Sequence, residues 1–347
     1  MATRFHTPAV RVNTGLRRAF RQNLLRWYRR SHRKLPWRAT RDPYRIWVSE
    51  IMLQQTRVDT VLPYYARWLR AFPTVQALAR ATDDRVLKLW EGLGYYSRVR
   101  NLHRAAQIIV REHDGKLPRT LDSLLELPGV GRYTAGAIAS IAFGQRAPLV
   151  DGNVARVFAR IFAIRADVRS PRTFQSLWQL AEHLLPEDNP GEFNQALMEL
   201  GALVCTPANP RCDICPMRHA CRARARGLVT QLPHRGHKPQ TVRVDANAAL
   251  IRRGGRILLQ RRPQRGLLAN LWELPQADRS RFRLGRQLCE VRHTITHHRI
   301  AMRVLECIPK IPIRSNGRWR WATRRQLQAL ALPAAHRRAI DLVLSSA

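Results

Sequence analysis

The chain has 347 residues, 45% of them hydrophobic, enough for a substantial core and two domains. Its 61 Lys and Arg against 24 Asp and Glu give a formal charge of +37, a self-repulsion that a polyanion would screen, so nucleic acid is the first expected partner and salt should weaken binding. No stretch approaches the roughly 20 apolar residues of a membrane-spanning helix, and no signal-like apolar run opens the chain, so a cytoplasmic location, at the nucleoid in a bacterium, is expected.

From the N-terminus the pattern is helix after helix. Residues 1–41 hold no acid and run as a basic segment into the helical "RRAFRQNLLRWYRRS". In "IWVSEIMLQQTRVDTVLPYYARWL", Trp47, Val48, Ile51, Met52, Val58 and Val61 form one stripe, which predicts a helix carrying Glu50 just off the stripe and both Gln54 and Gln55 beside it. On periodicity alone Glu50 is either a solvated flank or an acid facing a cleft. "RNLHRAAQIIVREH", "TAGAIASIAFG", "GNVARVFARIFAI", "TFQSLWQLAEHLL" and "EFNQALMELGALV" continue the series, separated by Gly/Pro turns such as "EGLGYY". "SPRTF" predicts a helix start with Ser170 as N-cap and Pro171 in the first turn. No period-two pattern interrupts residues 1–225, so this part is expected to be all-α.

Residues 226–240 are basic and rich in turn formers, as in a linker. Residues 241–347 then change character. "VRVDANAALIRR" and "RILLQRR" predict strands joined in a hairpin at Arg253-Gly254-Gly255, "RIAMRVLECI" predicts another strand, and "TRRQLQALAL" and "AAHRRAIDLVL" predict helices, giving a smaller α+β domain.

Two local motifs carry chemistry. "LELPGVGRYTAGAIAS" predicts a hairpin of helices near 127–133, in which Gly129 and Gly131 let the backbone approach a ligand and the second helix offers free N–H groups to an anion such as a DNA phosphate. "CTPANPRCDICPMRHAC" brings Cys205, Cys212, Cys215 and Cys221 into one loop, suited to a tetrahedral zinc or an iron–sulfur cluster. The spacing has one Cys-x-x-Cys knuckle where a zinc ribbon pairs two, so zinc fits less well. Cys289 and Cys307 stand apart as packing residues.

"LPGVGRYTAGAI", "VDGNV" and the cysteine spacing resemble the helix-hairpin-helix DNA glycosylases of the endonuclease III superfamily; "LPWRATRDPYRIWVSEIMLQQTRV" and "GLGYYSRVRNLHRAA" resemble its MutY-type adenine glycosylases. The resemblance runs from about Leu35 to Cys221. It implies a fold of two helical lobes gripping double-stranded DNA, a [4Fe–4S] cluster on the four cysteines, adenine opposite 8-oxoguanine or guanine as substrate, and a monomer. Bifunctional relatives carry a nucleophilic Lys after the hairpin; here Tyr133 stands there, and a phenol cannot form an imine, so hydrolysis by water is expected. The resemblance makes Glu50 the general acid on adenine, Asp151 the anion beside the sugar, and Tyr133 and Asn153 their orienting neighbours. It makes Gln55 the side chain that fills the gap left by the extruded base, with Gln54 beside it on the DNA side, and matches Leu35, Trp37, Arg38 and Gln195 to the adenine pocket; Gly129, Gly131 and Arg132 are expected on the DNA backbone, and Tyr95 and Tyr96, after "GLG", are expected either as wedges in the duplex or as ordinary core aromatics. Without the resemblance, Asp151 is an ordinary N-cap worth roughly 1 kcal/mol.

"RPQRGLLANLWELPQ" resembles the Nudix-type C-terminal domain of the same family. Residues 241–347 contain six scattered acids and no glutamate cluster to hold Mg²⁺, so recognition and not hydrolysis is expected. By resemblance Thr296 and His297 read 8-oxoguanine, with Ile295 where the family has an aromatic residue.

Overall fold

The computed structural model describes residues 12–234, 236, 241–295 and 297–345. Helices occupy the described chain up to residue 225: α1 Thr14–Ser31, α2 Pro43–Leu53, α3 Val58–Ala71, α4 Val75–Ala79, α5 Asp83–Trp90, α6 Ser97–Glu112, α7 Leu121–Leu125, α8 Arg132–Ile141, α9 Gly152–Ile161, α10 Pro171–Leu184, α11 Pro190–Leu203 and α12 Arg222–Ala225. Among the described residues, seven strands and two helices follow: β1 Val242–Leu250, β2 Arg252–Arg253, β3 Arg256–Arg261, β4 Trp272–Glu273, β5 Phe282–Ile295, β6 His298–Pro309, β7 Trp319–Thr323, α13 Arg324–Ala329 and α14 Ala334–Ser345.

Side-chain caps set several helix starts. Asp42, Thr74, Thr82, Thr120 and Ser170 each accept a backbone N–H from the first turn of the helix they precede. The expected start at Ser170-Pro171 is therefore present. The expected continuous helix through "SEIMLQQT" is not. Helix α2 ends at Leu53, Gln54 caps it, Gln55 adopts φ +57°, and α3 begins at Val58. A non-glycine residue in the left-handed region ends a helix as surely as a proline.

Contacts divide the chain into two compact units, Met1–Gln54 with Ile108–His237, and Gln55–Gln107 with Lys238–Ala347. In the first, Phe20 and Leu24 of α1 pack with Phe158, Phe162, Phe193 and Leu197; the Phe20 and Phe162 rings stack at 6.4 Å. In the second, Trp68 meets Trp90 edge-on at 5.5 Å within the helical part.

The C-terminal region holds two sheets, one ordered β1-β6-β5 and one ordered β2-β3-β4 with β7 also on β3. The expected hairpin turn is at Gly254-Gly255, both with positive φ, but it joins β3 to the two-residue β2, while β1 lies parallel to β6. β5, unassigned from the sequence, is the longest strand; register shifts near Gln287 blur its alternation. Met302, Val304 and Leu259 of the sheets pack on Leu327, Ala339 and Ile340 of α13 and α14.

Candidate active site

Helix α2 is buried without a break from Ile46 to Met52, so it has no solvated flank and Glu50 goes inside, 5% exposed. The Tyr133 hydroxyl, from the first turn of α8, donates to Glu50 Oε2 at 2.7 Å and lies 3.1 Å from Met198 Sδ. Burial pushes the Glu50 carboxyl up to about 7, the negative charge of Asp151 adds to the rise, and the Tyr133 hydrogen bond and Arg38 oppose it.

Gly136 brings the next segment close: a Cβ there would collide with the Pro148 carbonyl, so only glycine lets the chain leading to Asp151 lie against α8. Asp151 N-caps α9. Its Oδ1 accepts the Val154 N–H at 2.7 Å, and its Oδ2 accepts Asn153 Nδ2 at 2.8 Å. Burial raises this carboxyl too, against the pull of those donors and of Arg156.

Arg38, in a 3₁₀ turn Pro36–Arg38, is held by both oxygens of Glu199 at 2.8 Å, and Arg33 binds the same carboxylate from 2.6 Å. Glu199 is fully buried on α11, and the two guanidiniums hold its carboxyl down at about 2. Arg38 therefore answers chiefly to Glu199 and lowers the Glu50 carboxyl less than burial raises it. Leu35 and Trp37 beside it are buried, and Gln195 is half-buried on α11.

The four cysteines line one cavity together with Arg160, Arg211, Arg218 and Arg224. Among the described residues no three Cys, His, Asp or Glu groups converge on a single metal ion. Burial pushes the Cys215 thiol up to about 12, with the other three thiols adding to the rise. Two buried arginines of α9 tie this loop down. Arg156 donates to Cys205 O at 2.7 Å, to Gly201 O and to Asn153 Oδ1, both at 2.8 Å; Arg160 donates to Thr206 O at 2.7 Å and reaches Cys205 Sγ at 3.5 Å.

Residues 48–183 match the model of the HhH-GPD superfamily of base excision DNA repair proteins, and residues 247–342 match the NUDIX domain model. Curated relatives named adenine DNA glycosylase include one from Buchnera aphidicola (subsp. Baizongia pistaciae), 33% identical over 90% of this chain and 93% of its own length. The human relative is 45% identical over 74% of this chain and 57% of its own length. The chain belongs to the adenine DNA glycosylase family. It spans less than two thirds of the mammalian members it matches. A solved thermostable thymine-DNA glycosylase, 31% identical, superposes with a TM-score of 0.56 over 60% of this chain and 97% of its own. An endonuclease III in a non-covalent DNA complex, 21% identical with a TM-score of 0.54, covering 63% of this chain and 99% of its own, shares the fold.

The expected site residues divide between the two units. Glu50, Tyr133, Asp151, Asn153 and Arg38 form one hydrogen-bonded and electrostatically coupled group. Gln54 donates to Thr134 Oγ1 at 3.3 Å and lines a cavity of about 550 Å³ with Gly131, Arg132 and Tyr133. Gly129 takes φ +79° in the hairpin turn, and a side chain on Gly131 would meet nothing within 4 Å. Arg132 is exposed, its guanidinium 4.0 Å from the Trp178 ring centroid. Gln55, Tyr95 and His297 belong to the other unit. Gln55 and Tyr95 are exposed in left-handed conformations, φ +57° and +47°. His297 is exposed in the turn between β5 and β6, 4.1 Å from His298. Thr296 lies outside the described residues.

The sequence reading missed Glu199, Arg156 and Arg160. Glu199 had a signal: a lone acid inside "ALMELGALV" repeats the situation of Glu50 in "WVSEIML". Gly201 was also missed. A Cβ there would stand 2.6 Å from Asn153 Cβ, so this glycine fixes where Asn153 can sit.

Proposed function

We propose that the protein is a monofunctional DNA glycosylase that removes adenine mispaired with 8-oxoguanine or guanine from double-stranded DNA. The observation that carries this is Glu50, a buried carboxyl whose proton is retained near neutrality, with Tyr133 on it and Asp151 beside it. Adenine leaves poorly unless its ring is protonated. Glu50 gives its proton to adenine, at N7; the C1′–N9 bond breaks and its electron pair stays on the base. The cation left on the sugar faces Asp151, whose ionised form is favoured by the Val154 N–H and the Asn153 amide against the opposing effect of burial. Water then adds to C1′ and passes its proton to the Glu50 carboxylate. Tyr133 offers no amine, so no imine with the sugar forms at that position.

The base must first leave the stack, at a cost of a few kcal/mol. Gln54 and Gln55 then fill the gap and Tyr95 enters the duplex. Gly129, Gly131 and Arg132 hold the backbone, and Leu35, Trp37, Arg38 and Gln195 surround adenine. Two exposed side chains held at positive φ support the role of Gln55 and Tyr95, because such strain persists where the surroundings impose it. Thr296 and His297 read the oxidised guanine from the C-terminal domain, residues 241–347.

The donor set fits an iron–sulfur cluster. The four cysteine thiols line one common cavity, and the arginines that line it with them would face a group that is anionic. Cys205, Cys212, Cys215 and Cys221 would hold a [4Fe–4S] cluster whose contribution is to order the 205–221 loop against DNA.

The deciding experiment incubates the protein with an A:8-oxoguanine duplex, then alkali, and looks for scission at the adenine. Activity should fall as pH rises past about 7, where Glu50 ionises, and vanish in Glu50→Gln with mispair binding retained. An active Gln variant would remove Glu50 from the mechanism.

A further inference from the structure

The loop that carries Tyr95 is gripped from two directions. From the helical side, the Tyr64 hydroxyl donates to Glu91 O at 2.9 Å, Trp90 Nε1 donates to Gly94 O at 3.0 Å, and Arg98 donates to Leu93 O at 3.0 Å and Gly94 O at 3.2 Å. Gly92, at φ +102°, admits no side chain, because a Cβ would collide with the Tyr64 hydroxyl. The second grip comes from the C-terminal region, in the same compact unit. Arg337 of α14 donates to Glu91 Oε1 through Nε and Nη2, both at 3.0 Å, and spends its other donors on Leu327 O and Leu330 O, at 2.8 and 2.7 Å. Lys88 closes the other side of Glu91 at 2.5 Å and reaches Leu330 O at 3.3 Å. The Glu91 and Arg337 side chains are only 15% and 22% exposed.

Glu91 is the residue at which α5 ends and the loop begins. Its carbonyl is tied to the helical side and its carboxylate to α14. A carboxylate enclosed by two cations, one of them a fork already fixed by two carbonyls, has little freedom to rotate. Two further ties run parallel: Arg261 to Asp84 at 3.1 Å, and Arg100 to the Ala269 carbonyl at 3.2 Å. Nothing in the excision chemistry needs these contacts, and the Arg337 and Lys88 pairs meet at Glu91, where the segment that presents a strained, 47% exposed tyrosine begins.

We propose that Arg337 is a positioning residue that acts through Glu91 to fix the Tyr95 loop, so that the C-terminal domain sets the geometry of the wedge and with it the affinity for a mispair. This rests on the reading of Tyr95 as a residue that enters the duplex. The test uses the full chain and the variants Arg337→Gln, Glu91→Gln, Tyr95→Ala and the double variant R337Q/Y95A. Hydrogen exchange of residues 91–96 in the free protein should rise in Arg337→Gln and in Glu91→Gln, with residues 132–141 unchanged. Binding to a duplex with a non-cleavable adenine analogue opposite 8-oxoguanine should weaken about tenfold in either variant, the scale of one partly buried charge-assisted pair, while the single-turnover rate at saturating DNA holds. In the Tyr95→Ala background, Arg337→Gln should add nothing. Unchanged exchange at 91–96, or an undiminished effect of Arg337→Gln when Tyr95 is absent, overturns the proposal. If the wild-type protein excises no adenine, the proposed activity fails, and the exchange measurement still decides whether Arg337 holds the loop.

Discussion

Glu50→Gln should stabilise the protein as it abolishes activity, and the gain should depend on pH with a defined sign. An ordinary glutamate titrates near 4.5, and burial raises Glu50 to about 7. Between those values the folded chain binds a proton that the unfolded chain has released, so stability falls as pH rises through that window. The fall amounts to about two and a half pH units at roughly 1.4 kcal/mol each, near 3.5 kcal/mol once the group is ionised in both states. Gln keeps the shape and an acceptor for the Tyr133 hydroxyl, and has no proton to lose. Denaturant unfolding of wild type and variant should therefore differ by under about 1 kcal/mol at pH 5 and by about 3 kcal/mol at pH 8, with the variant more stable. A difference that is flat with pH, or a variant less stable at pH 8, would mean that Glu50 is not desolvated in solution and would refute the reasoning that makes it an acid.

Asp151→Asn keeps a good N-cap for α9, so unfolding should change by less than about 1 kcal/mol while excision falls by about 10² or more, as expected when a charge opposing a developing cation is lost; proportional losses in both measurements would leave only the capping role. Cys215→Ser should lower iron and inorganic sulfide content and remove visible absorption from the purified protein, and an unchanged spectrum would rule out the cluster at these residues. Gly201→Ala should displace Asn153 from Asp151, costing about 1–3 kcal/mol of stability through overpacking and lowering the single-turnover rate beyond any loss in DNA affinity; a variant with wild-type rate would show that Asn153 tolerates the push.

What could be read from the sequence follows the range of the interaction. The Ser170 cap and the Gly254-Gly255 turn depend on a few neighbouring residues, and both are present. The break after Leu53 was not legible, because "LQQTRV" contains no Gly or Pro and the apolar period runs through it. Burial of Glu50 was not legible either. The helix wheel gives it a flank, and only tertiary packing on every side of α2 turns that flank into a desolvated site. β1 and β3 looked like a hairpin because they are adjacent in sequence; the parallel partner of β1 lies about fifty residues further on, a pairing that local pattern cannot express. The candidate site itself came from the resemblance and not from periodicity, which left Glu50 and Asp151 with ordinary alternatives.

The net charge of +37 was the first clue to a nucleic-acid partner, yet several of its arginines are used to close loops of the fold. Arg21 holds the carbonyls of Leu184 and Leu185, Arg98 those of Leu93 and Gly94, Arg156 those of Gly201 and Cys205, and Arg160 those of Leu232 and Thr206. Each guanidinium spans two or more acceptors that no helix or sheet satisfies. That task suits a planar fork with five donors in fixed directions better than the ammonium of lysine. It also leaves the positive charge only partly neutralised, because a carbonyl is a dipole and not an anion. The same residues that close the loops therefore contribute to the field that attracts a polyanion, while only exposed side chains such as Arg132 are free to displace counterions from its phosphates. Replacing Arg132 by Gln should therefore reduce the slope of binding with salt by about one, whereas replacing the buried Arg156 should act on stability and not on that slope.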